Sequence, residues 1–318
     1  MNGKFKIGSR GSDLALWQTN FVKKKLEDAY PALSFEVKII TTTGDQMLDT
    51  ALSKIGDKGL FTRQIENALL NGEIDLAVHS LKDLQTAQPE GLTIGAVLER
   101  ETPNDVLLSS RYNSIDELPK GARVATGSLR RKSQLLHYRP DLSITEIRGN
   151  VPTRIRKLDE SELDGMILAY AGVHRLGLDS RIRQVIPFGI MLPAVGQGAM
   201  AVEVRADDTK VREIASVLDD TETRNCVTAE RAFLRRLEGG CQVPIGAMAR
   251  VEGDRIYLEG VVGSLDGDKN LRERITGDTA DADALGTGLA EQMLEKGAAE
   301  ILEEGRRTVE NPANAVVR

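Results

Sequence analysis

Through its first two thirds the chain alternates short β-branched or apolar runs with segments of helical periodicity, a rhythm that predicts α/β architecture. The runs are Phe5 to Gly8, Phe35 to Ile40, Leu76 to His79, Val106 to Leu108, Val124 to Thr126 and Met166 to Leu168. Between the first two, Leu14, Trp17, Phe21 and Leu26 lie near helical spacing, with Lys23, Lys24 and Lys25 available for the wet side. A second helix is predicted from about Thr62 to Leu70, stopped by Asn71-Gly72. The rhythm breaks twice, at the polar stretch Glu99 to Asp105 with its Pro103, and at Pro193 to Gly198 before a strand-like Met200 to Arg205. Two breaks suggest two crossings between lobes: a first domain of 1–98 with the returning segment 199–218, and a second of 104–192. A cleft lined by strand ends and helix starts is expected between them, where ligands of open α/β sheets sit. After about Asp219 the pattern changes. Ile245 to Val251 and Arg255 to Val262 read as antiparallel strands around the turn Glu252-Gly253-Asp254, and Leu285 to Leu302 as one amphipathic helix, so 219–318 is expected to be a small α+β third domain.

With 318 residues, 41% of them hydrophobic, the chain is long enough for two or three cores. Its 42 Lys plus Arg against 48 Asp plus Glu give a net charge of -6, unlike the basic excess of nucleic-acid binders. An anionic ligand must therefore be met by a local cluster. The stretch Met1 to Phe5 lacks the apolar core of a signal peptide, and no apolar run reaches the roughly 18 residues of a membrane span, so a cytoplasmic protein without membrane partners is predicted. Cys226 and Cys241 show no CxxC spacing and the histidines His79, His137 and His174 are scattered upstream, which supports neither a metal site nor a disulfide. One thiol is available as a nucleophile; the other reads as a small buried apolar group.

Two turns share one design. Ile7-Gly8-Ser9-Arg10-Gly11-Ser12 and Ala125-Thr126-Gly127-Ser128-Leu129-Arg130-Arg131 each follow a strand and precede a helix. A helix start offers unpaired N–H groups and a positive dipole end, small residues admit an anion, and arginine adds a fork of donors. Taken alone, each turn is better explained by Ser12 and Ser128 capping helices, with the arginines in solvent. The run Leu76 to Asp83 ends in His79-Ser80-Leu81-Lys82-Asp83, where a lysine next to an aspartate suggests acid/base or charge-stabilising work, or simply a turn. Arg148-Gly149-Asn150 follows the strand-like Leu142 to Ile147, Arg154 follows Pro152, and Arg175 completes a set of guanidinium groups suited to paired carboxylates or phosphates. Arg156, Arg181, Arg183 and Lys132 read instead as a solvated face. Cys241 sits in the glycine-rich Glu238-Gly239-Gly240-Cys241-Gln242-Val243-Pro244, which permits close approach of its sulfur, although an incidental loop cysteine is the plainer reading of that segment alone. Lys54-Ile55-Gly56-Asp57-Lys58-Gly59 lacks P-loop spacing and reads as a loop able to close over a cleft.

In their order and spacing these motifs resemble the porphobilinogen deaminase (hydroxymethylbilane synthase) family. The match takes in Gly8 to Ser12 with Leu14 to Gln18, Thr43-Gly44-Asp45, Lys58 to Phe61, His79 to Asp83, Gly127 to Arg131, Arg148 to Asn150, Leu192 to Gly198 and Glu238 to Pro244. The resemblance implies a three-domain α/β protein whose first two domains look like type II periplasmic binding protein lobes. It implies a transferase that deaminates four porphobilinogen molecules and adds them head to tail on a dipyrromethane cofactor, tethered by a thioether to Cys241, before water releases hydroxymethylbilane. By similarity Asp83 is the catalytic carboxylate. Lys82, Thr126, Ser128, Arg130, Arg131, Arg148 and Gly149 join Asp83 and Cys241 around the cofactor. Arg10, Gln18, Arg148, Asn150, Arg154, Arg175 and Gln197 bind substrate. No metal is implied, and the family expectation is a monomer. Asp13, Gly127 and Gln85 depart from the residues common at those places, proline, serine and proline respectively. Two competing readings are a two-lobed binding protein for a small dicarboxylate or oxyanion, and a regulatory domain for an anionic effector. The missing export signal and the Cys241 segment speak against the first, and the lack of a DNA-binding or catalytic partner segment against the second.

Overall fold

In the computed structural model, which describes residues 3–46, 59–237 and 244–310, every apolar run named above forms a strand, with ends shifted by one or two residues. In chain order the elements are β1 (Gly3–Ser9), α1 (Asp13–Ala29), β2 (Leu33–Ile39), α2 (Thr43–Gln46), α3 (Arg63–Leu70), β3 (Leu76–Ser80), β4 (Leu92–Val97), β5 (Asp105–Leu108), β6 (Arg123–Ala125) and α4 (Leu129–Tyr138). There follow β7 (Ser143–Thr145), α5 (Val151–Asp159), β8 (Gly165–Ala169), α6 (Tyr170–Arg175), β9 (Ile182–Val185), β10 (Met200–Arg205), α7 (Thr209–Ser216) and α8 (Thr221–Arg236). The last are β11 (Ile245–Glu252), β12 (Arg255–Gly263), β13 (Asn270–Asp278), α9 (Ala282–Met293) and α10 (Ala299–Glu310). No helix among the described residues is long and apolar enough to cross a membrane.

Two compact units result. The first takes the described residues up to 46, 59–101 and 196–224; the second takes 102–195 with the described residues from 225 onward. In the first unit the sheet order is β2-β1-β3-β10-β4, with β1, β2 and β3 parallel and β10 antiparallel to both its neighbours. Both faces are covered: Phe5, Ile7, Leu76, Val78, Val202 and Val204 pack with Val22 and Leu26 of α1 and Ile214 of α7, while Ala77 on the other face packs with Ile65, Ala68 and Leu69 of α3. The central β3 and β10 are buried along nearly their whole length and read as mainly apolar runs, whereas β1 and the edge strand β2 alternate buried apolar with exposed polar or charged residues.

The second unit holds two sheets. One repeats the first unit's plan in the order β7-β6-β8-β5-β9, with β6, β7 and β8 parallel and β5 antiparallel. The other is the antiparallel β11-β12-β13, covered by α8 and α9 through Ala229, Phe233, Leu285, Leu289 and Met293. Its β13, Asn-Leu-Arg-Glu-Arg-Ile-Thr-Gly-Asp, shows little apolar signal because it is an edge strand, where charged side chains also block unwanted pairing. The single helix expected from Leu285 to Leu302 is corrected to two. Gly297 takes φ +100°, which breaks the regular winding between α9 and α10.

Candidate active site

In the first unit the carboxyl ends of β1 and β3 and the start of α1 surround a pocket lined by Arg10, Ser12, Gln18, Phe61, Thr62, His79, Ser80 and Asp83, among others. Ser12 caps α1, its hydroxyl accepting from the Ala15 N–H, so the helix start faces the pocket with its remaining N–H groups. Arg10 is fixed from two sides. Its Nε and Nη2 donate to Asp45, the latter at 2.5 Å, and its guanidinium lies 4.2 Å from the centre of the Phe61 ring. Burial opposes ionisation of Asp45, but the bonds from Arg10 and from the Thr42 hydroxyl outweigh it, so this carboxyl stays below its ordinary range. Buried Gln18 donates to Ser80 Oγ at 2.9 Å, tying α1 to the end of β3.

Immediately after β3 a single 3₁₀ turn carries Leu81, Lys82 and Asp83. Leu81 is buried and anchors the turn, its N–H bonding to the carbonyl of Ala199. Asp83 is exposed, and its side chain takes part in no hydrogen bond or ion pair with the described residues. Lys82 Nζ reaches Gln197 Oε1 at 3.4 Å, and Gln197 is almost wholly buried, its carbonyl accepting from Arg100 Nε at 2.8 Å. Six of the residues singled out from sequence thus lie in this unit: Arg10, Gln18, Lys82, Asp83 and Gln197 with the capping Ser12.

The second unit assembles a different set. Asp105, fully buried at the start of β5, receives Arg130 Nη1 at 2.7 Å and Arg131 Nε and Nη2 at 3.0 and 2.8 Å. Arg130 also bonds the carbonyl of Leu192, and Arg131 that of Ile167. Burial works against the Asp105 carboxylate, yet the two guanidinium groups overrule it and hold its carboxyl far below the usual carboxylate range. Burial and the neighbouring Arg131 lower Arg130, against the pull of Asp105. Two cations against one anion leave the cluster with a positive charge, and Arg130 Nε, also buried, has no hydrogen-bond partner among the described residues.

Ser128 caps α4 by accepting from the Arg131 N–H, while its own N–H donates to Thr126 Oγ1. The glycine at 127 has a local cause, since a side-chain carbon there would lie 2.9 Å from the Ile147 carbonyl oxygen. Gly127→Ser is therefore expected to cost about 1–3 kcal/mol, read as a lowered thermal midpoint; an unchanged midpoint would mean that the Ile147 carbonyl yields without strain. Gly149 takes φ +117°, and Asn150 caps α5 by accepting from the Thr153 N–H at 2.9 Å. Arg148 is held by Glu146, Arg154 is half-buried on α5 and Arg175 is buried on α6. Arg156 pairs with Glu160 and Arg181 with Asp159 on the surface, while Arg183 bonds the Ser109 carbonyl.

Cys241, Lys54 and Lys58 lie outside the described residues. Cys226 is buried on α8 in the core of the third sheet. Sequence alone assigns no role to Asp45, Phe61, Asp105 or Glu146, which orient the arginines, although Asp45 and Phe61 stand within motifs quoted above. No group of His, Cys, Asp and Glu capable of holding a metal occurs among the described residues.

Residues 5–213 match the family model described as "Porphobilinogen deaminase, dipyromethane cofactor binding domain", and residues 224–295 match "Porphobilinogen deaminase, C-terminal domain". Curated relatives named porphobilinogen deaminase include one from Pelotomaculum thermopropionicum, 55% identical over 307 residues that cover 96% of this chain and 98% of its own. Another, from Carboxydothermus hydrogenoformans, is 53% identical over 301 residues, covering 95% and 97%. A third, from Chlorobium phaeobacteroides, is 50% identical over 312 residues, covering 97% and 100%. Among solved structures, the methionine binding protein MetQ aligns with a TM-score of 0.43 at 14% identity, covering 68% of this chain and 89% of that one.

Proposed function

Since the chain belongs to the porphobilinogen deaminase family, we propose that it is the transferase that joins four porphobilinogen molecules into hydroxymethylbilane on a dipyrromethane primer held by a thioether to Cys241. The observation that carries the reading at the level of residues is the buried Asp105–Arg130–Arg131 cluster with its surplus positive charge and its Arg130 Nε lacking a partner among the described residues. A group bearing acetate and propionate side chains fits such a cluster, because it brings the missing negative charge and acceptors. Lys82, Thr126, Ser128, Arg130, Arg131, Arg148 and Gly149 would hold it with Asp83 and Cys241. When bound, the primer supplies the pyrrole carbon to which rings are added and keeps the growing chain attached to the protein.

The protein's own groups then have distinct tasks. Arg10, locked by Asp45 and Phe61, presents a preset guanidinium to a substrate carboxylate, and a donor already ordered loses less entropy on binding. Gln18, Asn150, Arg154, Arg175 and Gln197 complete the substrate set. As the C–N bond of porphobilinogen breaks, its electron pair leaves with ammonia and the substrate becomes a cationic azafulvene. The Asp83 carboxylate accepts from the pyrrole N–H and stabilises that cation, then assists removal of the proton displaced by C–C bond formation. The reading takes residues 1–98 with 199–218, 104–192, and 219–318 as three domains of a cytoplasmic monomer that binds neither nucleic acid nor metal.

Intact mass tests it. The purified chain should carry the extra mass of a dipyrromethane and gain successive pyrrole units when porphobilinogen is added, and Cys241→Ser should show neither. A parent chain of unmodified mass that takes up no pyrrole units would refute the proposal; a Cys241→Ser chain that still gains them would move the tether elsewhere.

A further inference from the structure

The alternation of side chains along β3 and β10 sorts the polar groups of the first unit into two sets. Val78 and Ser80 share the face of β3 that α1 covers, whereas Ala77 and His79 share the face covered by α3. Glu203 of β10 stands opposite Ala77 and so joins His79, and Glu66 enters from α3. All three are withdrawn from water, Glu203 completely. Nε2 of His79 lies 3.2 Å from Glu203 Oε2. Neither oxygen of Glu203, nor Oε1 of Glu66, nor Nε2 of His79, has a hydrogen-bond partner among the described residues, so the His79–Glu203 contact is one of distance alone. His79 is at the same time part of the wall of the pocket that contains Asp83, Arg10 and Gln18.

Two carboxylates and one imidazole, all ionised, would place a net negative charge in the interior, where an uncompensated charge is costly. The other charged groups near it are Arg63 on the helix of Glu66, Arg205 two residues along β10 from Glu203, which bonds the Leu69 carbonyl of α3 and pairs with Asp75 and Asp208, and Arg10 and Asp83 across the pocket. Neutrality is reached if His79 and one carboxyl carry protons. Burial favours the protonated form of Glu66 and the charge of Glu203 adds to this, against Thr62, His79 and Arg63, which pull the other way.

We infer that Glu66 and Glu203, behind the pocket wall that His79 contributes, form with it an electrically neutral cluster with a proton resident on Glu66, and that this neutrality lets the pocket accept an acidic pyrrole. The inference rests on the reading of the pocket as part of a porphobilinogen site. Glu66, His79 and Glu203 are positioning residues: they act on the substrate through their field. Loss of the Glu66 proton leaves a negative charge behind the pocket, which opposes the acetate and propionate of the substrate and so raises KM rather than lowering kcat.

The test compares the parent chain with Glu66→Gln, whose amide mimics the protonated carboxyl but has no proton to lose. Infrared difference spectra at neutral pH should show a protonated-carboxyl stretch in the parent that the variant lacks. In the parent, KM for porphobilinogen should climb on the alkaline side by on the order of tenfold more than in the variant, the effect of a unit charge about 10 Å away at an effective dielectric near 20. Glu203→Gln serves as a second variant: with that charge gone, Glu66 pairs with His79 as a carboxylate and the same band should vanish. A band that survives Glu66→Gln, or an equal alkaline rise of KM in parent and variant, overturns the inference. The spectra judge the proton on Glu66 even if porphobilinogen proves not to be the substrate, so the two readings can fail separately.

Discussion

Asp83→Ala should lower kcat on the order of 10³-fold or more while leaving the thermal midpoint within about 2 °C of the parent. The two halves of this expectation have separate causes. Asp83 is exposed on a 3₁₀ turn whose anchor is the buried Leu81, and its side chain makes no hydrogen bond or ion pair with the described residues, so its removal takes nothing from the fold. What is lost is the pocket carboxylate proposed to meet a developing pyrrole cation. Asp83→Asn separates charge from shape: the amide keeps the size and one acceptor oxygen, and should recover little of the rate if the negative charge is what matters. Steady-state rates with porphobilinogen, alongside thermal melting, check both halves. An alanine variant within tenfold of the parent kcat would take Asp83 out of the chemistry, and one that is slow because it has unfolded would make Asp83 structural.

The residues proposed to meet ligands are easier to read from sequence than the residues that orient them. Strands β3 and β8 are legible because a strand covered on both faces is apolar almost throughout, β1 because buried Phe5 and Ile7 alternate with exposed Lys4 and Lys6, and the motifs at their carboxyl ends stand out against that background. Arg10, Arg130 and Arg131 are visible as cations after a strand and before a helix. Their partners are not. Asp105 is 26 residues from Arg131, and Asp45 is 35 from Arg10, distances over which no local rule of turns or helix faces operates. One signal was available: a charge inside an apolar strand must find a partner in the interior. Glu203 between Val202 and Val204, and Asp105 directly before Val106-Leu107-Leu108, both fit that pattern. The helix predicted from Leu285 to Leu302 failed for a related reason, since amphipathic periodicity continues through Gly297 although the backbone there adopts a left-handed turn.

That same interior logic makes Asp105 the position where a single change should most weaken the fold. With Asp105→Ala, two buried guanidinium groups face each other without their shared counter-charge, and breaking such a pair typically costs about 3–5 kcal/mol. Chemical denaturation of the second unit should show a loss of that size, and Asp105→Asn, which retains the acceptor but not the charge, should regain only part of it. The pH dependence follows from the same pairing. The folded carboxyl lies far below its ordinary range, so its stabilising contribution is complete above the unfolded value, starts to fade below about pH 4 and continues to fall through the folded value in stronger acid. The asparagine variant has no such carboxylate to protonate, and its stability should decline less over that acid range than the parent's. If Arg130 and Arg131 also receive the carboxylates of a bound primer, the loaded variant should regain stability that the unloaded one lacks, because the ligand restores negative charge. Parent and variant with equal denaturation midpoints and equal acid sensitivity would show that the guanidinium pair does not depend on Asp105.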